Sequence, residues 1–173
     1  FEVYLSHNEK TQKSSRNRYL YAELLFQRNK LRKASLNYEK VALVIKNKKI
    51  AHDSRYAAIL SLDKSVKPEA KGKPAKWSDD DEKDFTRLVN VYVKFHPKGK
   101  FRLGVEFKKA LIAYEKENYD LAAPIFMRLG KVYSRRAKGL KSQDLFLDIL
   151  NIKKDYKQLT TYSKSLIRGR KLN

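Results

Sequence analysis

Apolar residues recur along this chain every three to four positions, the spacing that places them on one face of a helix. Between Arg18 and Phe26 they are Leu20, Tyr21, Leu24 and Leu25, with Ala22 among them. The same period returns in Leu31, Ala34, Leu36, Tyr38, Val41, Ala42 and Ile45, and again in Tyr56, Ala57, Ala58, Leu60 and Leu62. Asp53 and Ser54 precede the third run and read as its N-cap. The pattern fails over KSVKPEAKGKPAK (Lys64–Lys76), where Pro68, Gly72 and Pro74 accompany almost no apolar side chain, so a flexible insertion or long loop is expected. Ser78 then offers a cap, and Asp79, Asp80, Asp81 and Glu82 sit where the positive end of a helix dipole favours carboxylates. Phe85, Leu88, Val89, Tyr92, Val93 and Phe95 carry this helix to a stop at Pro97. Further helices are predicted over 101–117, from Asp120 to Val132 with Ala122, Ile125, Phe126 and Leu129 inward, through Leu140–Ile152, and through Leu159–Ile167. Pro124 falls in or just past a first turn, where its missing N–H costs least. Eight helices or slightly fewer, with no convincing strand, make the fold all-α.

Self-comparison adds a second level of order. Ala22–Val41 aligns with Ala110–Leu129: Ala22 with Ala110, Leu31 with Tyr119, Ala34 with Ala122, Tyr38 with Phe126 and Val41 with Leu129. A third copy begins where Asp155-Tyr156-Lys157 echoes Asn118-Tyr119-Asp120 and Leu159 echoes Ala122. Each unit is a helix, a turn and a second helix whose early Ala allows close approach. With Tyr92–Pro97 resembling a helix end and the Pro that closes a repeat, the pattern is similar to the tetratricopeptide repeat. The Gly of that family's first helix is Ala here, and the insertion lengthens one repeat.

The resemblance implies one domain over 1–173 of stacked antiparallel helical hairpins in a TPR-like right-handed solenoid. Its repeats would fall near 16–50, 51–97 (with an insertion at 64–78), 100–134 and 137–167. It implies a non-catalytic protein–protein interaction scaffold that binds a partner segment in a concave groove, without cofactor or small-molecule substrate. First-helix positions make Tyr19, Glu23, Gln27, Tyr56, Lys109, Tyr114, Gln143 and Asp144 the groove candidates. The degenerate repeats look most like those of bacterial envelope proteins, which favours a periplasmic or envelope location. Phe1, Val3 and Leu5, ahead of the first repeat, hint at a missing partner helix or a docked edge, as in a fragment of a longer array.

Charge changes the picture of the partner. Forty Lys+Arg against nineteen Asp+Glu leave +21, concentrated in residues 1–50 and 128–173. Self-repulsion on that scale exceeds what solubility needs, so an anionic partner is expected: an acidic protein segment first, nucleic acid or an anionic membrane surface as alternatives. Arg28, Lys30, Arg32 and Lys33 gather at one turn, and Arg128, Lys131, Arg135 and Arg136 around another, and these are the anion-binding candidates. Lys46, Lys48, Lys49, Lys138, Lys141, Arg168, Arg170 and Lys171 extend the basic clusters.

Candidate chemistry is sparse. The absence of Cys excludes disulfides, thiolate zinc sites and cysteine nucleophiles. His7, His52 and His96 are scattered without metal-ligand spacing, and Asp79–Glu82 lacks the Gly and terminal Glu of a calcium loop. No phosphate-binding glycine loop or nucleophile elbow occurs, and Ser14, Ser15 and Ser61 have no identifiable base. No catalytic or metal-ligating residue is therefore assigned. Tyr38, Phe85, Tyr92, Phe107, Tyr119 and Phe126 fall at repeat core positions, whereas Tyr19, Tyr21, Tyr56, Tyr114 and Tyr133 are open to groove roles. Trp77 reads either as a staple against the following helix or as a contact residue.

Overall fold

The computed structural model describes residues 12–68 and 75–171. Eight helices occur among them: α1 (Gln12–Gln27), α2 (Leu31–Val44), α3 (Lys48–Ser65), α4 (Asp79–Phe95), α5 (Arg102–Glu115), α6 (Tyr119–Val132), α7 (Ala137–Ile152) and α8 (Tyr156–Lys171). The expectations on Phe1, Val3, Leu5, His7, Gly72 and Pro74, and on the side chains of Arg170 and Lys171, lie outside the described residues. No strand occurs among the described residues; Pro68 and Ala75 pair in one isolated antiparallel bridge. The chain divides after Arg102 into two units, each with its own packing.

Helix ends follow local chemistry. Ser78 caps α4 by accepting from the Asp81 N–H at 3.2 Å, while its hydroxyl donates to the Asp81 carboxylate at 2.7 Å. Trp77 is buried edge-on against Phe85, 5.0 Å between centroids, so it serves as a staple one turn deeper than the usual position. The reading of Asp53 and Ser54 as a cap is corrected: α3 begins earlier, at Lys48, where the Asn47 side chain accepts from the amides of Lys49 and Ile50 at 3.0 and 3.1 Å. An Asn before a lysine pair gives a weaker periodic signal than Asp-Ser, but its amide oxygen satisfies the same orphan donors.

Three turns share one geometry. Asn29, Glu117 and Lys154 each take positive φ, at 58, 60 and 57°. After each, the next amide reaches back into the preceding helix: Lys30 N–H to Leu25 O, Asn118 N–H to Ala113 O and Asp155 N–H to Leu150 O, at 2.8, 2.8 and 2.9 Å. These left-handed closures join α1 to α2, α5 to α6 and α7 to α8. They fall where the self-alignment places equivalent residues, and adjacent-helix packing is consistent with a helical repeat.

In unit 1, Ala22 and Ala34 are fully buried and let α1 and α2 approach closely, around Tyr38 and Val41. The Tyr38 hydroxyl donates to Glu23 at 2.6 Å, and Ser35 donates to the Ala58 carbonyl of α3 at 2.8 Å. Bidentate Arg32–Asp81 and Arg87–Glu39 pairs tie α4 back to α2. The periodic Leu20, Leu24 and Leu36 are exposed, because these helices bury a narrower stripe than their apolar content suggests. Ser54 in α3 is fully buried with an unpartnered hydroxyl. Ser54→Ala is therefore expected to raise stability by about 1 kcal/mol in urea denaturation, since it removes a desolvated group that gains nothing in return.

In unit 2, Ala110, Ala113, Ala122 and Phe126 of α5 and α6 share one core with Leu145, Phe146, Ile149 and Leu150 of α7. Phe107, Tyr119, Leu159 and Tyr162 pack against it, half-buried. Glu106 and Arg128 form a two-pronged pair between α5 and α6, at 2.7 and 3.3 Å.

Candidate anion-binding site

The basic turn of unit 1 is a real depression. Asn29, Lys30, Leu31, Arg32 and Lys33 line a cavity of about 480 Å³ with Ser65 and Lys67 from the end of α3. The positive φ of Asn29 throws Lys30 into the N-cap position of α2, where its side chain makes no capping bond. The matching positions of the other two turns are Asn118, which accepts from Leu121 N–H at 3.3 Å, and Asp155, which accepts from Gln158 N–H at 3.0 Å. A cation at this position opposes the helix dipole and forgoes a cap worth about 1 kcal/mol. Arg28 lies beside this turn and is exposed. Arg32 is engaged: its guanidinium holds the Asp81 carboxyl below the usual carboxylate range.

The second predicted cluster divides as well. Arg128 is committed to Glu106, whereas Lys131, Arg135 and Arg136 are exposed around the α6–α7 turn, with Arg136 over the Tyr133 ring at 5.7 Å. A further cavity of about 510 Å³ is lined by Lys13, Arg16, Ile45, Asn47 and Ile50.

The groove candidates are mostly spent on internal contacts. Tyr19 lies edge-on to Tyr38, 5.9 Å between centroids, and burial followed by the charge of Glu23 raises its pKa. Tyr56 stacks flat on Phe101 at 3.6 Å. Burial lowers the pKa of Lys109, against the opposing pull of Glu106. The Tyr114 hydroxyl donates to Asp148, which pushes its pKa up to about 12. Gln143 is corrected from a groove position to a packing one: it is buried, and its amide donates to the Gly130 carbonyl at 2.9 Å. Gln27 and Asp144 are exposed.

Sequence spacing missed one constellation in unit 1. His52 of α3 and His96 at the end of α4 meet edge-to-face, 4.5 Å between centroids. His52 Nδ1–H donates to Asp53 at 3.0 Å, and its Nε2 lies 3.0 Å from the Tyr92 hydroxyl, which also accepts from the Phe101 backbone N–H. Arg55 reaches within 3.5 Å of His96 and covers the Phe95 ring. Tyr92 is fully buried, whereas His52 and His96 are each partly exposed. Burial, then His52, then Arg55 lower the His96 pKa from 6.5. The unfolded chain thus takes up a proton first as pH falls, so the stabilising contribution of neutral His96 is complete above the ordinary histidine value and is lost as pH drops through the folded one. Melting temperature should decline on acidification to about pH 5, and His96→Gln should flatten that decline. His52, Tyr92 and Arg55 face this ring. No sequence signal foretells the pair, because helix packing alone brings the two histidines together.

Among the described residues no group of three or more His, Cys, Asp or Glu could hold a metal ion, and no helix is long and apolar enough to cross a membrane. No family model, curated protein or solved structure matches the chain.

Proposed function

We propose that this chain is a non-catalytic interaction domain of tetratricopeptide type that binds an acidic segment of a partner protein. In that reading its helical pairs stack as a right-handed solenoid. The α1–α2 turn receives carboxylates of the bound segment. The observation that carries the reading is Lys30, a cation placed where the two equivalent turns carry the capping oxygens of Asn118 and Asp155. Lys33 and Lys67 share its cavity, so several cations face one depression of a size that suits a few side chains.

The test is anisotropy of a fluorescein-labelled oligoglutamate peptide against the full chain and Lys30→Asn. The substitution is expected to raise stability by about 1 kcal/mol through the restored cap. It should also weaken peptide binding about fivefold by removing one cation. Unchanged binding in Lys30→Asn, and in Lys33→Gln with Lys67→Gln, would sink the assignment. Preferential capture of duplex DNA would move the function to nucleic acid.

A further inference from the structure

Unit 2 sorts its charges by end. The Lys153–Asp120 ion pair places the α7–α8 turn beside the start of α6, so the α5–α6 and α7–α8 turns share one end of the unit. There Glu115, Glu117, Asp120 and Asp155 balance the lysines. From that end α6 runs about 20 Å to the turn that begins α7. Tyr162 lies 4.8 Å from Phe146, centroid to centroid, and a methyl group on Gly130 would come 3.1 Å from its hydroxyl. This register carries the following turns of α8 to the same far end.

The far end carries little negative charge beyond Glu106, which is paired with Arg128. No Asp or Glu occurs from Leu121 to Gln143 or from Tyr156 to Asn173, which leaves Asp144 as the nearest carboxylate along α7. Lys131, Arg136, Lys138 and Lys141 lie around the α6–α7 turn, and Lys164 and Arg168 lie on the later turns of α8, all exposed. The same segments carry three aliphatic side chains left open to water: Val132 at 61%, Leu140 at 41% and Ile167 at 56% exposure.

We infer that this end of unit 2 is a docking surface for an anionic lipid bilayer. A bilayer interface takes both components together, cations at the headgroup phosphates and aliphatic side chains at the acyl boundary. A nucleic acid takes the cations at its phosphates and has no use for exposed aliphatic side chains. It draws its remaining affinity from polar base edges or, when single-stranded, from stacked aromatics. The aromatic ring here, Tyr133, is half-buried under Arg136. The surface is distinct from the α1–α2 cavity and does not depend on the acidic-segment reading.

The test is flotation of the full chain with vesicles of phosphatidylcholine alone or mixed with phosphatidylglycerol. Binding is expected only to the mixed vesicles. Combined Arg136→Gln, Lys138→Gln and Lys141→Gln should lower the partition coefficient about 100-fold, at roughly one kcal/mol per cation. Combined Lys48→Gln, Lys49→Gln and Lys98→Gln in unit 1 removes the same net charge and should change it less than about threefold. Combined Val132→Ser, Leu140→Ser and Ile167→Ser should weaken it about tenfold at constant charge. Equal losses from the two glutamine sets, binding to pure phosphatidylcholine, or no loss from the serine set would overturn the inference. So would duplex DNA that outcompetes vesicles for this end. If the serine set fails to fold, judged by circular dichroism, the two glutamine sets still decide the outcome.

Discussion

Phe126→Ala is expected to cost about 3–5 kcal/mol, the largest loss available from one side chain in unit 2. Phe126 is fully buried in α6. It makes edge contacts to Phe107 and Tyr114 of α5, at 5.8 and 6.3 Å between centroids, and shares a core with Leu145, Phe146 and Ile149 of α7. The ring therefore joins three helices, and several of its neighbours are alanines, Ala110, Ala113 and Ala122, that cannot extend to refill the space. Both the transfer term and the cavity term persist after substitution. Urea denaturation followed by circular dichroism measures the loss, and a change below about 1 kcal/mol would show that the core relaxes in a way this packing does not permit. Phe107→Ala, at a half-buried position, should cost distinctly less.

Gly139→Ala should destabilise the protein by about 3 kcal/mol for a different reason, overpacking against backbone. Gly139 lies in the first turn of α7, and an added Cβ would stand 1.8 Å from the Tyr133 carbonyl oxygen and 2.5 Å from its carbon. That carbonyl also accepts from Arg136 N–H at 2.9 Å, so it cannot swing away without opening the α6–α7 turn. The control is Gly104→Ala in α5, where nothing lies within 4 Å of the new methyl. That change should stabilise by about 1 kcal/mol through helix propensity alone. Thermal melts of the two variants should move in opposite directions. A shared direction would remove the steric argument for the turn.

The contrast between these glycines shows what a sequence conceals. Both sit within helical patterns, and both look like mild propensity defects. Only the approach of Tyr133 makes one of them obligatory. The basic clusters behave in the same way. Arg28, Lys30, Arg32 and Lys33 read alike in the chain, yet Arg32 is taken by Asp81 on α4 while Lys30 faces a cavity. Arg128 is likewise drawn into a pair with Glu106 and separated from its exposed neighbours. Gln143, polar and on a first helix, looked suited to a groove until the Gly130 carbonyl claimed it.

Much of the local architecture was legible without coordinates. The 3.6-residue period marks the helices, Ser78 and the carboxylates behind it announce the start of α4, and the aligned alanines and aromatics locate the recurring turns that Asn29, Glu117 and Lys154 close. These features depend on neighbours within a few residues or on a repeated motif, so the chain displays them directly. The Asn47 cap shows the limit of such reading, since a stronger candidate pair lay only a turn and a half further on.

By itself, then, the sequence determined that this protein is helical and strongly basic, because backbone propensity, amphipathic period and net charge are sums over local choices. Only the tertiary structure decided which charges pair inside the fold and which stay exposed, and it alone brought His52 to His96. Those outcomes depend on helix register and on which faces meet. A shift of one residue in either would re-pair every side chain involved without altering the pattern along the chain.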